Sequence, residues 1–507
     1  MGIVLNTNET ITIDLLATSD LHGQIGKSGI SGNILKMATY VKHKRKTNHH
    51  VLLLDNGGML SGSMFAFYYA QIAPYKRNPM IKVMNEMQFD ASGVSPDEFN
   101  FGLDFLNKSI ALSRFPWLAA NIEHSKTREP YFTTPYTIKY VEGIKIGIIG
   151  FTSSGLMENK NVEFEDEVLV GESMTTAKKW VRYLHEKESP DFLIMLYHGG
   201  LHTYTDKNNY RSYYSNNAES MTKSTEGVNV IITGHQEHIV DLKVEETQFI
   251  QPGKDATNIV DMSIQFKKRA NSVEIIDTSI KHVEISSYPE DRDLLELTYF
   301  DQKAVQHWSE QSVVDVPVVL DYKHLTDLFI KPHKFMECIQ QSMTRAFKES
   351  DFVCAQIGNP TGNGLRGELQ VKDVYQSYVH TDKPVKINLS GAEIKRIIER
   401  KATALYKEGD TVKYNDHILE PTLMTVWKGF EYTIDLSKPV GSRVNLDNID
   451  LEASYSVIMT DYLFRHVNKI ISESTYERAK KTVIEYMIEE LTESKGKYDL
   501  EHHFKVI

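Results

Sequence analysis

Two cysteines, Cys338 and Cys354, are all that 507 residues carry, so stability cannot come from a disulfide framework. Their neighbours are apolar (Phe335, Met336 and Ile339; Phe352, Val353 and Ala355), which reads as two buried free thiols in a reducing compartment. No apolar run reaches the length of about 18 residues that a membrane-spanning helix needs, so no membrane partner is expected. The segment Met1 to Thr10 is polar and short, without a basic stretch leading into an apolar one. It is not read as a signal peptide, and the cytoplasm is the expected compartment. Basic residues are in deficit too: 57 Lys and Arg stand against 68 Asp and Glu, a net charge of −11. That balance excludes a nucleic-acid polymer as the expected partner, because phosphate backbones are bound by basic surface. A small anionic ligand held at one local site stays open. Internal repeats and low-complexity stretches are lacking.

What is there looks globular. Apolar residues make up 41% and charged residues 25%, which excludes wholesale disorder. The length is about three times the ~150 residues of an average domain, so two large domains are expected. In the first half, β-rich apolar runs alternate with helical patterns. Thr12 to Ser19, Val51 to Leu54, Phe192 to Tyr197 and Val228 to Ile232 read as buried strands, with Phe89 to Val94 and Trp117 to Ile122 as shorter ones. Tyr136 to Tyr140 and Ile144 to Phe151 read as a hairpin turning at Glu142-Gly143. Helices are expected over Ile34 to Arg45 and Met174 to Lys187. From Thr247 to Ile285 the alternation is that of antiparallel strands. Pro289 to Trp308 is charged with helical spacing, the pattern of a solvent-exposed linker helix. Beyond Val313, helices are expected at His333 to Lys348, Gly391 to Lys407 and Tyr476 to Ser494, with a turn-rich stretch from Gly358 to Gly367. His49-His50 and His502-His503 read as solvated surface pairs.

In layered α/β sheets, ligands sit beyond the carboxyl ends of the strands. The loops at those ends are Asp20-Leu21-His22-Gly23, Asp55-Asn56-Gly57-Gly58, Ser95 to Asn100, His198-Gly199-Gly200 and Gly234 to His238. Each has a Gly or Pro break and a carboxylate or imidazole. Asp20 and His22, two apart on an extended segment, point to one side and can share a metal. His198 and His235 can converge on the same region. One such loop is a weak signal; the series points to a metal-site scaffold.

This order of motifs resembles the family of 5′-nucleotidases and 2′,3′-cyclic-nucleotide phosphodiesterases, within the calcineurin-like metallophosphoesterases. The matching segments are Asp20 to Gly23, Glu98 to Gly102, Leu118 to Ile122, Ile144 to Phe151, His198, Gly234-His235 and Gln251 to Lys254, then Gly364 to Arg366, Leu389 to Glu393 and Tyr455 to Tyr462. The resemblance implies an α/β chain in three parts. Residues 1–286 would form a four-layer metallophosphoesterase-like β-sandwich flanked by helices, residues 287–312 a linker helix, and residues 313–507 an α+β substrate domain of the 5′-nucleotidase C-terminal type. It also implies a chemistry: two divalent ions of the Zn, Mn or Fe type hold a phosphate ester and activate water. Metal ligands would come from Asp20, His22, His198 and His235, with Glu237, His238, Asp97 and Asp55 as substitutes. Arg366 and His380 would contact substrate, and Asp97 would stand where the family has its catalytic His.

Departures from the family pattern fall on the chemical groups. The bridging Asp of Leu-Asp-x-Gly-Asp is Gly58, the ligand Asn of Gly-Asn-His-Glu-Phe is Pro96, and the His after it is Asp97. The family's Pro-Phe-x-Asn is Val379-His380-Thr381-Asp382, and its Gly-Gly-Asp-Gly lines up with His466 to Lys469. Without a bridging carboxylate, two like-charged ions at close range repel strongly, so at most one tightly held metal, or none, is expected. Two functions follow. One is a 5′-nucleotidase-like phosphoesterase with weakened or lost activity. The other is a non-catalytic protein binding a small anion or nucleotide-like ligand between the domains. The oligomeric state is not readable.

Overall fold

The computed structural model describes residues 9–26, 34–132, 134–154, 167–202, 218–223, 225–269, 272–415, 421–467, 470–471, 475–500 and 503–507. Asn468, Lys469 and His502 lie outside the described residues. The chain divides into two compact units, Met1–Val305 and Gln306–Ile507.

The first unit is built on two six-stranded sheets. One runs Val273–Glu284, Asn258–Lys268, Glu9–Thr18, Val51–Asp55, Ala91–Gly93, Trp117–Leu118. The other runs Ile239–Val244, Thr247–Pro252, Val230–Thr233, Phe192–His198, Ile144–Thr152, Tyr136–Val141. The apolar runs explain the layering. Alternate residues of Glu9–Thr18 and Phe192–His198 meet in a shared core that includes Leu15, Leu54, Ile148, Ile194 and Ile232. The opposite faces are covered by helices, Ile34–Thr47 and Pro79–Glu86 over the first sheet and Ser173–Tyr183 over the second. Strands buried on both faces therefore read as continuous apolar stretches. This is the four-layer α/β arrangement expected from the sequence.

Close approach between layers accounts for one glycine. A Cβ at Gly150 would lie 1.9 Å from the Leu118 carbonyl oxygen. The expected hairpin turns at Glu142 and Gly143, both at positive φ (48° and 81°), as a two-residue connection requires. The run from Thr247 is shared between the sheets: Thr247–Pro252 pairs in parallel with Val230–Thr233, and the next two strands join the other sheet.

The charged segment forms the helix Arg292–Ser309. It is not solvated all round. Leu294, Thr298 and Val305 are buried in the first unit, and Asp301 receives the Tyr69 hydroxyl at 2.6 Å and the Lys82 ammonium at 2.8 Å. Its exposed charges occupy the other side, as an amphipathic helix requires.

The second unit is α+β. A five-stranded sheet runs Thr425–Lys428, Phe352–Gln356, Ser454–Thr460, Pro384–Ser390, Tyr476–Arg478. Its helices include Lys334–Thr344, Gly391–Ala402 and Val483–Ser494. All three expected helices are shorter than read, Lys334–Thr344 ending four residues before Lys348. The chain leaves the helix Gly391–Ala402 at Thr403 and enters the hairpin Leu405–Glu408 and Thr411–Tyr414. Tyr476–Arg478 is a strand, and the helix after it starts at the Thr482 capping box. Both cysteines are free and buried, as read. His503 is buried beside Phe504 instead of solvated. No described helix is long and apolar enough to cross a membrane.

Candidate functional site

The loops at the strand ends of the first unit come together as the topology demands. Parallel pairing of Glu9–Thr18 with Val51–Asp55 places Asp20 beside Gly57 and Gly58. The Asp20 amide donates to Gly57 O at 2.8 Å and the His22 amide to Gly58 O at 2.7 Å. Parallel pairing of Phe192–His198 with Val230–Thr233 brings His198 and His235 to a ring separation of 6.4 Å. The Asp255 amide, after the strand Thr247–Pro252, donates to Asp20 O at 2.8 Å.

Backbone strain gathers here. Six of the thirteen non-glycine residues described at positive φ are Asp20, His22, His235, Glu237, Asp255 and Ala256. Such conformations cost roughly 1–3 kcal/mol each and cluster at functional sites.

The side chains bond mainly to one another. Asp20 Oδ2 accepts from Ser19 Oγ at 2.6 Å and from the His235 amide at 3.1 Å. His22 Nδ1 donates to Asp255 Oδ1 at 2.8 Å, and its Nε2 faces Glu237 Oε1 at 3.6 Å. Burial alone would push His22 down. The Asp255 hydrogen bond and the charges of Asp20, Asp255 and Glu237 outweigh it and raise the imidazole to about 9. The Lys254 ammonium bonds Glu237. Two side-chain cations, His22 and Lys254, thus sit among three carboxylates, those of Asp20, Asp255 and Glu237.

One pair is left over. His198 Nδ1 donates to Asn56 O at 2.9 Å, which turns Nε2 toward Asp20 Oδ1 at 3.6 Å. Nε2 is buried and has no hydrogen-bond partner. These two acceptor atoms fit one shared cation or proton but fall short of the four ligands of a typical metal centre. Among the described residues, no three His, Cys, Asp or Glu side chains converge to hold one ion.

The remaining predicted residues lie elsewhere. Gly58 occupies the bridging position, and its amide donates to Glu98 Oε1 at 2.9 Å. Glu98 also accepts from the Met59 and Ser95 amides at 2.8 Å. Burial raises the Glu98 carboxyl despite these donors and His198. Pro96 and Asp97 open a short 3₁₀ turn capped by Ser95, and the Asp97 carboxylate accepts from Asn100 at 3.2 Å. Asp55 is fully buried, accepting from Thr18 Oγ1 and the Gly57 amide at 3.1 Å. Burial pushes its carboxyl well up. His238 follows Glu237 just before the strand Ile239–Val244 and is described in no shared cluster with the other ligand candidates. Arg366 is in the second unit, 77% exposed, 3.9 Å from Asp321. His380, also in the second unit, stacks on Tyr462 at 5.3 Å.

The fit to a dinuclear centre is therefore poor. The bridging position has no ligand atom, the Asn position is Pro96, and His22 and Glu237 are spent on internal partners. A Cβ at Gly58 would lie 2.9 Å from Asp20 Cα and 3.0 Å from Asp20 Oδ1, with φ at +84°. A side chain at this position would crowd Asp20 and sit on left-handed backbone.

Asp255 does not figure among the residues read from the sequence, and Lys254 does so only as the end of the matching segment Gln251 to Lys254. The rule that found the other loops applied to them equally, since Gly253-Lys254-Asp255 follows a buried strand. Asn121 was also passed over as a working residue. It is fully buried; its amide donates to Thr152 O and Gly171 O at 2.8 and 3.1 Å and accepts from the Thr152 amide at 2.9 Å.

Comparison with known proteins agrees with this fold. Residues 319–471 match the family model described as 5′-nucleotidase, C-terminal domain. The chain is 22% identical, over 95% of its length, to the trifunctional nucleotide phosphoesterase protein YfkN of Bacillus subtilis, of which it covers 38%. It is 24% identical, over 87% of its length, to a 2′,3′-cyclic-nucleotide 2′-phosphodiesterase/3′-nucleotidase of Yersinia enterocolitica, of which it covers 76%. Among solved structures, a Staphylococcus aureus chain named as a candidate 5′-nucleotidase, in complex with α-ketoglutarate, aligns with a TM-score of 0.82 at 20% identity, over 98% of this chain and all of that one. A 5′-nucleotidase precursor from Thermus thermophilus aligns at 0.67 and 18% identity, over 98% of this chain and 99% of that one.

Proposed function

We infer, for a chain that belongs with the 5′-nucleotidases and 2′,3′-cyclic-nucleotide phosphodiesterases, that its ligand is a nucleotide or kindred phosphate ester and that its two-metal hydrolysis is weakened or lost. The nucleotide class is taken from what the relatives are named for. One observation supports the loss above the others. The bridging position is Gly58, at +84° and pressed against Asp20. Two divalent ions at ~3.5–4 Å need a shared anion to offset their repulsion. With His22 and Glu237 already paired to Asp255 and Lys254, at most one ion is held, by Asp20 and His198. A reducing, cytoplasmic setting is part of the proposal and is supported by the two buried thiols.

The test is turnover of a nucleoside 5′-monophosphate, a 2′,3′-cyclic nucleotide and a generic aryl phosphate with added Mn²⁺. Hydrolysis is expected far below ordinary enzyme rates. Turnover of ~10 per second on any of the three overturns the reading. Gly58→Asp, Pro96→Asn and Asp97→His in one chain should raise metal-dependent activity above the parent.

A further inference from the structure

The second unit buries a lysine that no charge or hydrogen bond accounts for. Lys401 lies on the inner side of the helix Gly391–Ala402, in line with Ile394, Ile397 and Ile398. Its exposure is 0%, and Nζ has no hydrogen-bond partner. Two rings flank it. Nζ is 4.9 Å from the centroid of Phe504 and 5.8 Å from that of Phe329. Phe504 itself stacks on Tyr432 at 5.2 Å.

The groups around Nζ do not compensate its charge. From the strand Phe352–Gln356 comes Cys354, whose thiol burial holds well above its usual range. From Tyr432–Ile434 comes Tyr432, whose hydroxyl is pushed up by burial. Trp427, register partner of Cys354, has an unpartnered indole N–H. Phe329 brings Tyr414 at a ring distance of 4.9 Å, and His503 precedes Phe504. The ionised side chains on these elements have other partners or face solvent: Lys428 pairs with Glu337, Lys413 with Glu408, Asp327 accepts from the His324 amide, and Lys505 is exposed. No carboxylate described is within ion-pair distance of Lys401 Nζ, and Cys354 is the one titratable group that acts on it.

We propose that Lys401 is a proton-operated switch in the second unit: the neutral amine fits the aromatic pocket, and the ammonium loosens the contact between its helix and the strands Tyr432–Ile434 and Phe504–Val506. A buried ammonium without a hydrogen bond is costly, and a cation over two rings recovers only part of that cost. Desolvation lowers this lysine to about 7, against a smaller opposing effect of Cys354. The sign follows from the lowered value. The penalty is fully present below about pH 7 and is relieved as pH rises toward the ordinary lysine range near ~10.4. The strand carrying Phe504 is only three residues long and lies at an edge of its sheet, with a strand on one side only.

The experiment uses the full chain labelled at lysine ε-carbon for NMR, with backbone hydrogen exchange read by mass spectrometry. One lysine resonance should titrate near neutrality and vanish in Lys401→Met. Exchange in 504–506 and 432–434, corrected for intrinsic pH dependence, should be about tenfold faster at ~pH 6 than at ~pH 8. Lys401→Met should remove that difference. Lys401→Arg, which keeps its proton, should show fast exchange at both. If every lysine titrates above about 9, or if Lys401→Met keeps the parent's pH dependence, the proposal falls.

Discussion

Replacing Gly58 by Ala asks whether the crowded loop beside Asp20 is a built feature. The residue has φ +84°, and an added Cβ would lie 2.9, 3.0 and 3.3 Å from Asp20 Cα, Oδ1 and N. Left-handed backbone costs an ordinary residue roughly 1–2 kcal/mol. Forcing a methyl group into a filled space adds about 1–3 kcal/mol. The expected loss is therefore about 3 kcal/mol, or a fall of ~6–10 °C in the melting temperature of the first unit. Gly102 supplies the control: its φ is +87° and a Cβ there would meet nothing within 4 Å. Gly102→Ala should show the backbone cost alone, about 1–2 kcal/mol. Both variants and the parent are compared by thermal and urea denaturation followed by circular dichroism. If Gly58→Ala costs no more than Gly102→Ala, the loop has room for a side chain, and the argument that a carboxylate no longer fits is wrong.

Asn121→Ala should destabilise the first unit by about 3 kcal/mol, read by urea denaturation, because it orphans the Thr152 amide and carbonyl and the Gly171 carbonyl; a change below ~0.5 kcal/mol would show that water replaces the amide. Neither thiol should react with an aromatic disulfide at ~pH 8 in the folded chain, since burial raises Cys338 to about 12 and Cys354 well above its usual range. Both should react once denaturant is added; rapid reaction beforehand would mean the second unit opens readily.

Much of this architecture could be read from the chain. The buried strands announce themselves because both faces are covered, so Val51–Asp55 and Phe192–His198 stand out as unbroken apolar runs. The turn at Glu142-Gly143 is legible because two successive positive φ values favour glycine. Boundaries set by tertiary contacts were harder. Gly391–Ala402 stops at Thr403 although apolar residues continue, because Leu405–Glu408 pairs with Thr411–Tyr414. The strand Ile239–Val244 has one buried residue, Val240, and three exposed ones, and Asp241 and Lys243 break its apolar residues, so it shows no continuous apolar run.

The candidate site was half legible. The loops and the missing chemical groups at Gly58, Pro96 and Asp97 were visible as residue types. The ion-pair chain from Asp255 through His22 and Glu237 to Lys254 was not, because its members come from three separate loops. No spacing rule links residues 22, 237 and 255. Val230–Thr233 and Thr247–Pro252 are neighbours in one sheet, whereas Glu9–Thr18 lies in the other beside Asn258–Lys268, so only the packing of the two sheets brings the three loops into contact. Lys401 was invisible for a related reason: a lysine at the end of a helix reads as a solvated cation favouring the helix terminus, and its burial depends on Phe329 and Phe504 from distant segments.

The most direct measurement is a metal count on the intact chain. The protein is stripped with a chelator, equilibrated against excess Mn²⁺ or Zn²⁺, freed of loose ions, and analysed by elemental mass spectrometry. The account predicts no more than one ion per chain, with a melting temperature that chelation leaves unchanged. Two tightly held ions per chain, lost together with a large drop in melting temperature, would contradict it.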